Sequence, residues 1–273
     1  MTITSLRHPF GIYLWLMVAL VMVYILAPLA VIVASSFGTT GYVAFPPQGF
    51  TLRWYEQALA NPRYVNGFLT SLRIAGIVTV VSSVIGIAAA YALVRYEFPG
   101  SRLIESLFIS PLVLPGLVLA VALTIFFSRN PIATGTDRLI LAHLTICVPC
   151  VLRVVIPVLQ RFDRSIEEAA QNLGASPLKA VIKITLPLIV ANLIAGGLLA
   201  FAFAMLEVSD SLILAQKQAF YPITKAIMEL FQLLGDGKFI ASALGVWAMI
   251  FLGVTIAGLS LILGKKLGAI FRV

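Results

Sequence analysis

The chain has 273 residues, of which 60% are hydrophobic and 11% charged, with a formal net charge of +8 and a mean hydropathy of +1.04. Soluble domains carry about 45–50% apolar and about 25% charged residues, so this composition excludes an ordinary soluble enzyme or binding domain and implies an integral membrane protein. The basic excess reads as membrane topology and gives no argument for a nucleic-acid partner.

A spanning helix needs about 20 mainly apolar residues to cross a hydrocarbon core of roughly 30 Å. Six stretches qualify: Ile12–Ser36, Phe68–Val94, Ile104–Phe127, Leu139–Leu159, Leu188–Leu206 and Ile240–Leu263. None shows the short alternating segments of an outer-membrane barrel. The expected fold class is all-α integral membrane, with six transmembrane helices in a single domain over 1–273.

Ile12–Ser36 exceeds the 7–15 apolar residues of a secretory signal and lacks a small-residue cleavage site, so it reads as a retained helix. Phe37 to Gly67 carries Gly, Pro and polar residues and the aromatic stretch Leu52-Arg53-Trp54-Tyr55. This reads as an external loop with an interfacial helix at headgroup level. Small residues recur as Gly86 with Ala90, Gly196-Gly197 with Ala200, and Gly253 with Ala257. They permit close helix approach, within the chain or toward a second membrane subunit.

The third span begins Ser110-Pro111-Leu112-Val113-Leu114-Pro115-Gly116. Each proline removes a backbone donor and strains the preceding turn, so the helix should bend or open there. Such a break is tolerated where protein or a wet cavity satisfies the freed carbonyls. Pro111 and Pro115 are therefore candidates for lining a path, and a packing kink is the alternative. The fourth span holds His143 and the only cysteines, Cys147-Val148-Pro149-Cys150. Without further ligands or a βαβ context, the pair reads as packing thiols rather than a zinc or redox site.

Between the fourth and fifth spans lies a polar segment, 165–187, that begins SIEEAAQNLGAS. Ser165 followed by Glu168 predicts a capping box. Glu167 and Glu168 favour the positive end of the helix dipole, and Gly174 supplies a left-handed helix end. Ser176-Pro177 starts a second helix. The expectation is helix, glycine elbow, helix, lying across the inner membrane face. A well-capped solvated loop fits the same residues.

Glu207 and Asp210 stand near the outer end of the fifth span. Charged groups at membrane depth are functional candidates because their burial is expensive. The two acids can face a cationic substrate or an external gate, or cap a span that has already ended. The external segment Ala219–Phe239 reads as a structured loop. Lys and Arg in the loops favour cytoplasmic termini, with Arg7, Arg95, Arg102, Arg161, Arg164, Lys179, Lys183, Lys265, Lys266 and Arg272 on that side. No GxxxxGK[ST] nucleotide loop is present. No catalytic constellation and no metal-ligand spacing stand out, so neither a catalytic nor a metal site is expected.

Glu168-Ala169-Ala170, three residues, Gly174, nine residues, then Ile184-x-Leu186-Pro187 fills every position of the EAA pattern EAA-x3-G-x9-I-x-L-P. In this the chain resembles permeases of binding-protein-dependent ABC importers of type I. Arg53-Trp54-Tyr55, Thr70-Ser71-Leu72, the 110–116 stretch and Phe162-Asp163 are similar to the polyamine, ferric iron and phosphonate branch, over roughly residues 50 to 260.

The resemblance implies that the segment 165–187 is a cytoplasmic coupling element inserted into a groove of a separate ATPase. Glu168 would make polar contacts, Ala169 and Ala170 would allow close approach, Gly174 would set the elbow, and Ile184, Leu186 and Pro187 would complete the motif. It also implies two ATPase subunits carrying ATP and Mg, with no cofactor in this chain. A second, homologous but different permease and an external substrate-binding protein complete the set. The location implied is the bacterial cytoplasmic (inner) membrane, multi-pass, with both termini cytoplasmic. A secondary carrier or channel without an ATPase is the rival, but it calls for buried ionisable residues or an internal repeat with broken helices.

Overall fold

The computed structural model describes residues 9–39, 49–217, 221–233 and 235–270, with side chains between residues 12 and 261. Arg7 and Arg272 of the charge count, the stretch 40–48 of the first external loop and residues 218–220 lie outside the described residues. Among the described residues all regular structure is helical. Four helices are long and apolar enough to cross a membrane, Ile12–Ser36, Pro62–Arg95, Thr136–Arg161 and Gly237–Leu261, or up to six if each of two bent pairs is one span.

The chain clusters into two compact units: Met1–Pro62 with Ile227–Phe251, and Arg63–Ala226 with Leu252–Val273. In the first, α1 (Pro9–Ser36) precedes a short helix α2 (Arg53–Ala60). Trp54 was expected at the headgroup level, yet it is 1% exposed and stacks on Phe239 at 5.0 Å between ring centroids. Its indole N–H donates to the carbonyl of Gly38 at 2.7 Å, which satisfies the polar edge that burial would otherwise strand. Trp54, Phe239 and Ala243 thus form a buried cluster of this unit, with Tyr55 packed against it.

The second unit is built on α3 (Pro62–Arg95), α4 (Ser101–Ile109), α5 (Gly116–Arg129) and α6 (Thr136–Arg161). Then come α7 (Arg164–Asn172), α8 (Pro177–Ala180), a π turn over Val181–Thr185 and α9 (Leu186–Leu188). Next are α10 (Val190–Leu206) and α11 (Ser209–Leu214). Two further helices, α12 (Ile223–Gln232) and α13 (Gly237–Ile270), complete the chain.

The most buried helix is α6, and it packs chiefly on α10. The small residues explain how close the packing is. A Cβ placed on Gly86 would lie 2.8 Å from Val151 Cβ and 3.2 Å from the Val148 carbonyl, so only glycine fits there. Gly196, Gly197 and Ala200 are likewise buried. Gly253 and Ala257 are exposed, and nothing lies within 4 Å of a Cβ built on Gly253. Cys147 and Cys150 are buried free thiols, and Cys147 Sγ donates to the Ala200 carbonyl at 3.5 Å.

The third predicted span is a bent pair. The 3-10 turn Ser110–Leu112 ends the first arm, and the second arm restarts at Gly116 with a change of direction of 104°. Pro111 and Pro115 bracket this break, as their missing donors require. A second bend of 77° separates Pro177–Leu188 from Val190–Leu206.

Candidate coupling and path site

The α6 helix ends at Arg161, and Asp163 caps α7: the Ser165 amide donates to Asp163 Oδ1 at 2.9 Å. That bond holds the exposed Asp163 carboxyl below its ordinary range. The predicted capping box of Ser165 and Glu168 does not form. Asp163 precedes the first helical residue and supplies the acceptor, so the cap lies two residues earlier than expected. Glu168 instead pairs with Arg164 at 3.1 Å, one turn back on the exposed surface.

The elbow forms as expected. Gly174 sits at φ +92°, its amide donates to the Gln171 carbonyl, and the Ala175 amide donates to the Ala170 carbonyl. This pair of reversed bonds is a Schellman motif, and the left-handed residue it needs is glycine. Pro177 then opens α8 at the first helical turn. The Leu186 amide reaches five residues back to the Val181 carbonyl, giving the π turn. Pro187 follows immediately; it has no N–H, and its ring crowds the carbonyl four residues earlier.

The outward side of this segment is apolar where apolar groups should be hidden. Ile166 is 42%, Leu173 90% and Leu178 69% exposed. Ala169 is exposed and Ala170 half-buried. Ile166, Ala169 and Leu173 recur at helical spacing, so they line one face of α7. Of the motif's closing residues, Ile184 and Leu186 are half-buried and Pro187 is exposed.

The opposite side of α7 carries a residue that sequence reasoning treated only as a dipole charge. Glu167 is 3% exposed. Arg95 donates to its Oε1 at 3.2 Å, Thr185 Oγ1 to the same oxygen at 2.7 Å, and Tyr91 to Oε2 at 3.2 Å. The sequence held no signal for this, because neighbours about 100° apart on a helix can both face solvent.

The second candidate group is assembled in part. A Cβ on Gly116 would lie 2.7 Å from Ser209 Oγ, so the break after Pro115 abuts the start of α11, just past the break at Glu207-Val208. Pro111 lies one turn earlier, in the 3-10 turn. The Asp210 amide donates to Glu207 Oε1 at 3.1 Å, so Glu207 serves the first turn of α11 rather than the end of the fifth span. Asp210 itself is fully buried, with Oδ2 3.5 Å from His143 Nδ1. Both its oxygens lack a hydrogen-bond partner among the described residues. Burial, and then the Glu207 charge, push its carboxyl up to about 7. Among the described residues no cluster of three metal-ligating side chains occurs.

Residues 82–263 match the family described as the binding-protein-dependent transport system inner membrane component. The chain belongs to this family. The permease is 35% identical to the putrescine transport system permease protein PotI of Escherichia coli, over 74% of this chain and 73% of that one. It is 32% identical to the spermidine/putrescine transport system permease protein PotC of Haemophilus influenzae, over 69% and 73%.

The permease fold aligns with a solved bacterial ABC transporter involved in import of the acidic polysaccharide alginate, at a TM-score of 0.71 and 16% identity, covering 100% of this chain and 99% of that one. This likeness shows the fold alone. The chain is therefore a multi-helix permease of the binding-protein-dependent, inner-membrane transport class.

Proposed function

We propose that this permease works as one half of the membrane path of an ATP-driven importer of polyamine-class cations, and that α7 is the element an ATPase engages. The observation that carries the coupling reading is the exposed apolar face of Ile166, Ala169 and Leu173 on a helix outside the candidate spans, ended by the Gly174 elbow. A solvated loop gains nothing by displaying a leucine at 90% exposure; a helix seated in a groove does. Glu168 and Arg164 flank that face as its polar rim.

The substrate class rests on two supports. The relatives carry putrescine and spermidine in their names. The acids Glu207 and Asp210 stand at the junction of two helix breaks, where an ammonium group would relieve their crowding. An external binding protein delivers the solute, a second permease completes the path, and both termini lie in the cytoplasm. ATP and Mg sit on the partner ATPases.

The test is an affinity pull-down of the tagged chain from native membranes in mild detergent, with assay of ATP hydrolysis. The wild-type chain should bring an ATPase with it. Ala170→Arg and Gly174→Asp should remain in the membrane yet lose that partner, because one adds bulk and charge to the docking face and the other strains the elbow. Recovery of a stable complex with no ATPase would overturn the reading.

A further inference from the structure

Glu167 lies one residue from the exposed Glu168, yet its environment is the reverse. Its side chain is 4% exposed and that of Arg95 is 8% exposed, while Thr185 is fully buried. The three donors come from two separate parts of the chain. Tyr91 and Arg95 are one turn apart near the end of α3, and Thr185 closes the π turn that leads into α9 and α10. The carboxylate has about four lone-pair sites, and three are filled by these donors. We propose that Glu167 is a positioning residue: a buried latch that makes the coupling helix move as one body with the inner end of α3 and the start of the fifth span.

The physics is that of a buried charge. Sliding α7 away from α3 would leave a carboxylate and a guanidinium unpaired out of water, which is far costlier than moving all the partners together. Thrust on the Ile166, Ala169 and Leu173 face is thus delivered through Glu167 to Arg95 and Tyr91, and through Thr185 to the π turn. The π turn is the compliant link, since its five-residue hydrogen bonding is the irregular part of the ladder and such turns are frequent at functional sites.

Space for that motion is present. An apolar cavity of about 630 Å³ lies beside the link, lined by Tyr91, Val181, Ile182, Leu186 and Ile189 among others. The inference rests on the reading that α7 engages an ATPase, and it adds which residue converts that contact into motion of the membrane helices.

The experiment uses the complex captured from membranes, carrying Ile182→Cys as the reporter at a position 53% exposed on the cavity wall, with Cys147→Ala and Cys150→Ala removing the native thiols of this chain and labelling read on this chain alone. Alkylation of the reporter is timed without nucleotide and after trapping with ATP and vanadate. In the wild-type background the rate should change several-fold between the two conditions. Glu167→Gln keeps the size and loses the charge; it should retain the ATPase and abolish the change. Glu167→Asp should restore part of it.

Loss of ATPase capture in Glu167→Gln would make the residue a docking contact and overturn the latch. So would an unaltered change in that variant, or no change in the wild-type complex. If Glu167→Gln does not accumulate, Tyr91→Phe and Thr185→Val each remove one donor and should reduce the change by degrees; unchanged rates in both would sink the proposal. A wild-type chain that captures no ATPase would instead overturn the coupling reading, and the latch with it.

Discussion

At the scale of single residues, the same side-chain type takes opposite roles according to where the helix turns it. Glu168 meets solvent and Arg164, whereas Glu167 is enclosed by three donors. Asp210 is enclosed with His143 beside it but with no hydrogen-bond partner on either oxygen among the described residues, and its carboxyl is pushed from an ordinary 3.8 up to about 7. A raised carboxyl means that the fold prefers the protonated form. The stability gained is fully present below the ordinary value and is lost as pH rises through about 7. The buried His143 beside Asp210 also contributes to the absolute pH profile, so the quantity to compare is the difference between wild type and Asp210→Asn, which is neutral at every pH. The unfolding midpoint of the detergent-solubilised wild type, taken relative to that of Asp210→Asn, should fall as pH is raised from about 4 to about 7 and level off above. A difference that does not change with pH would assign the titration to another group.

At the scale of elements, helix contacts depend on where side chains are missing. At Gly86 a Cβ would meet Val151 Cβ at 2.8 Å and the Val148 backbone at 3.2 Å, whereas at Gly196 the nearest atoms are Val154 Cβ and Cγ1 at 3.6 Å. Gly86→Ala should thus cost about 1–3 kcal/mol, the usual range for overpacking, while Gly196→Ala should be tolerated. Thermal unfolding of both variants checks this, and an equal loss in the two would overturn it. These seams were legible in the sequence as paired small residues, as were the long apolar helices, the break at Pro111 and Pro115 and the left-handed turn at Gly174, because each follows from local chemistry. The cap of α7, the burial of Trp54 and the Glu167 cluster were not. Asp163 and Ser165 are competing caps of similar strength. Trp54 is buried by Phe239, far along the chain. Glu167 gains its meaning from Thr185 across the elbow and from Tyr91 and Arg95, more than 70 residues away.

At the scale of the whole molecule, what the chain leaves uncovered indicates how it is used. Along α1 nearly every described side chain from Ile12 to Val31 is exposed, as expected of a helix facing acyl chains or another membrane subunit. Lipid and protein neighbours differ in what they demand of the surface. A lipid-facing helix has no use for small residues, because acyl chains adapt to any apolar outline, whereas a helix packed on another gains close approach from them. Gly253 and Ala257 on α13 form such a pair, one turn apart, and both are exposed within this chain. Among the described residues nothing approaches the position a Gly253 side chain would take, so enlarging it meets no neighbour there. Gly253→Leu should therefore unfold at the wild-type temperature as a purified single chain and yet recover less of a second permease when pulled down from membranes. Equal recovery of the partner in wild type and variant would return this stripe to the lipid, and a lowered unfolding temperature of the lone chain would show that the stripe packs within it.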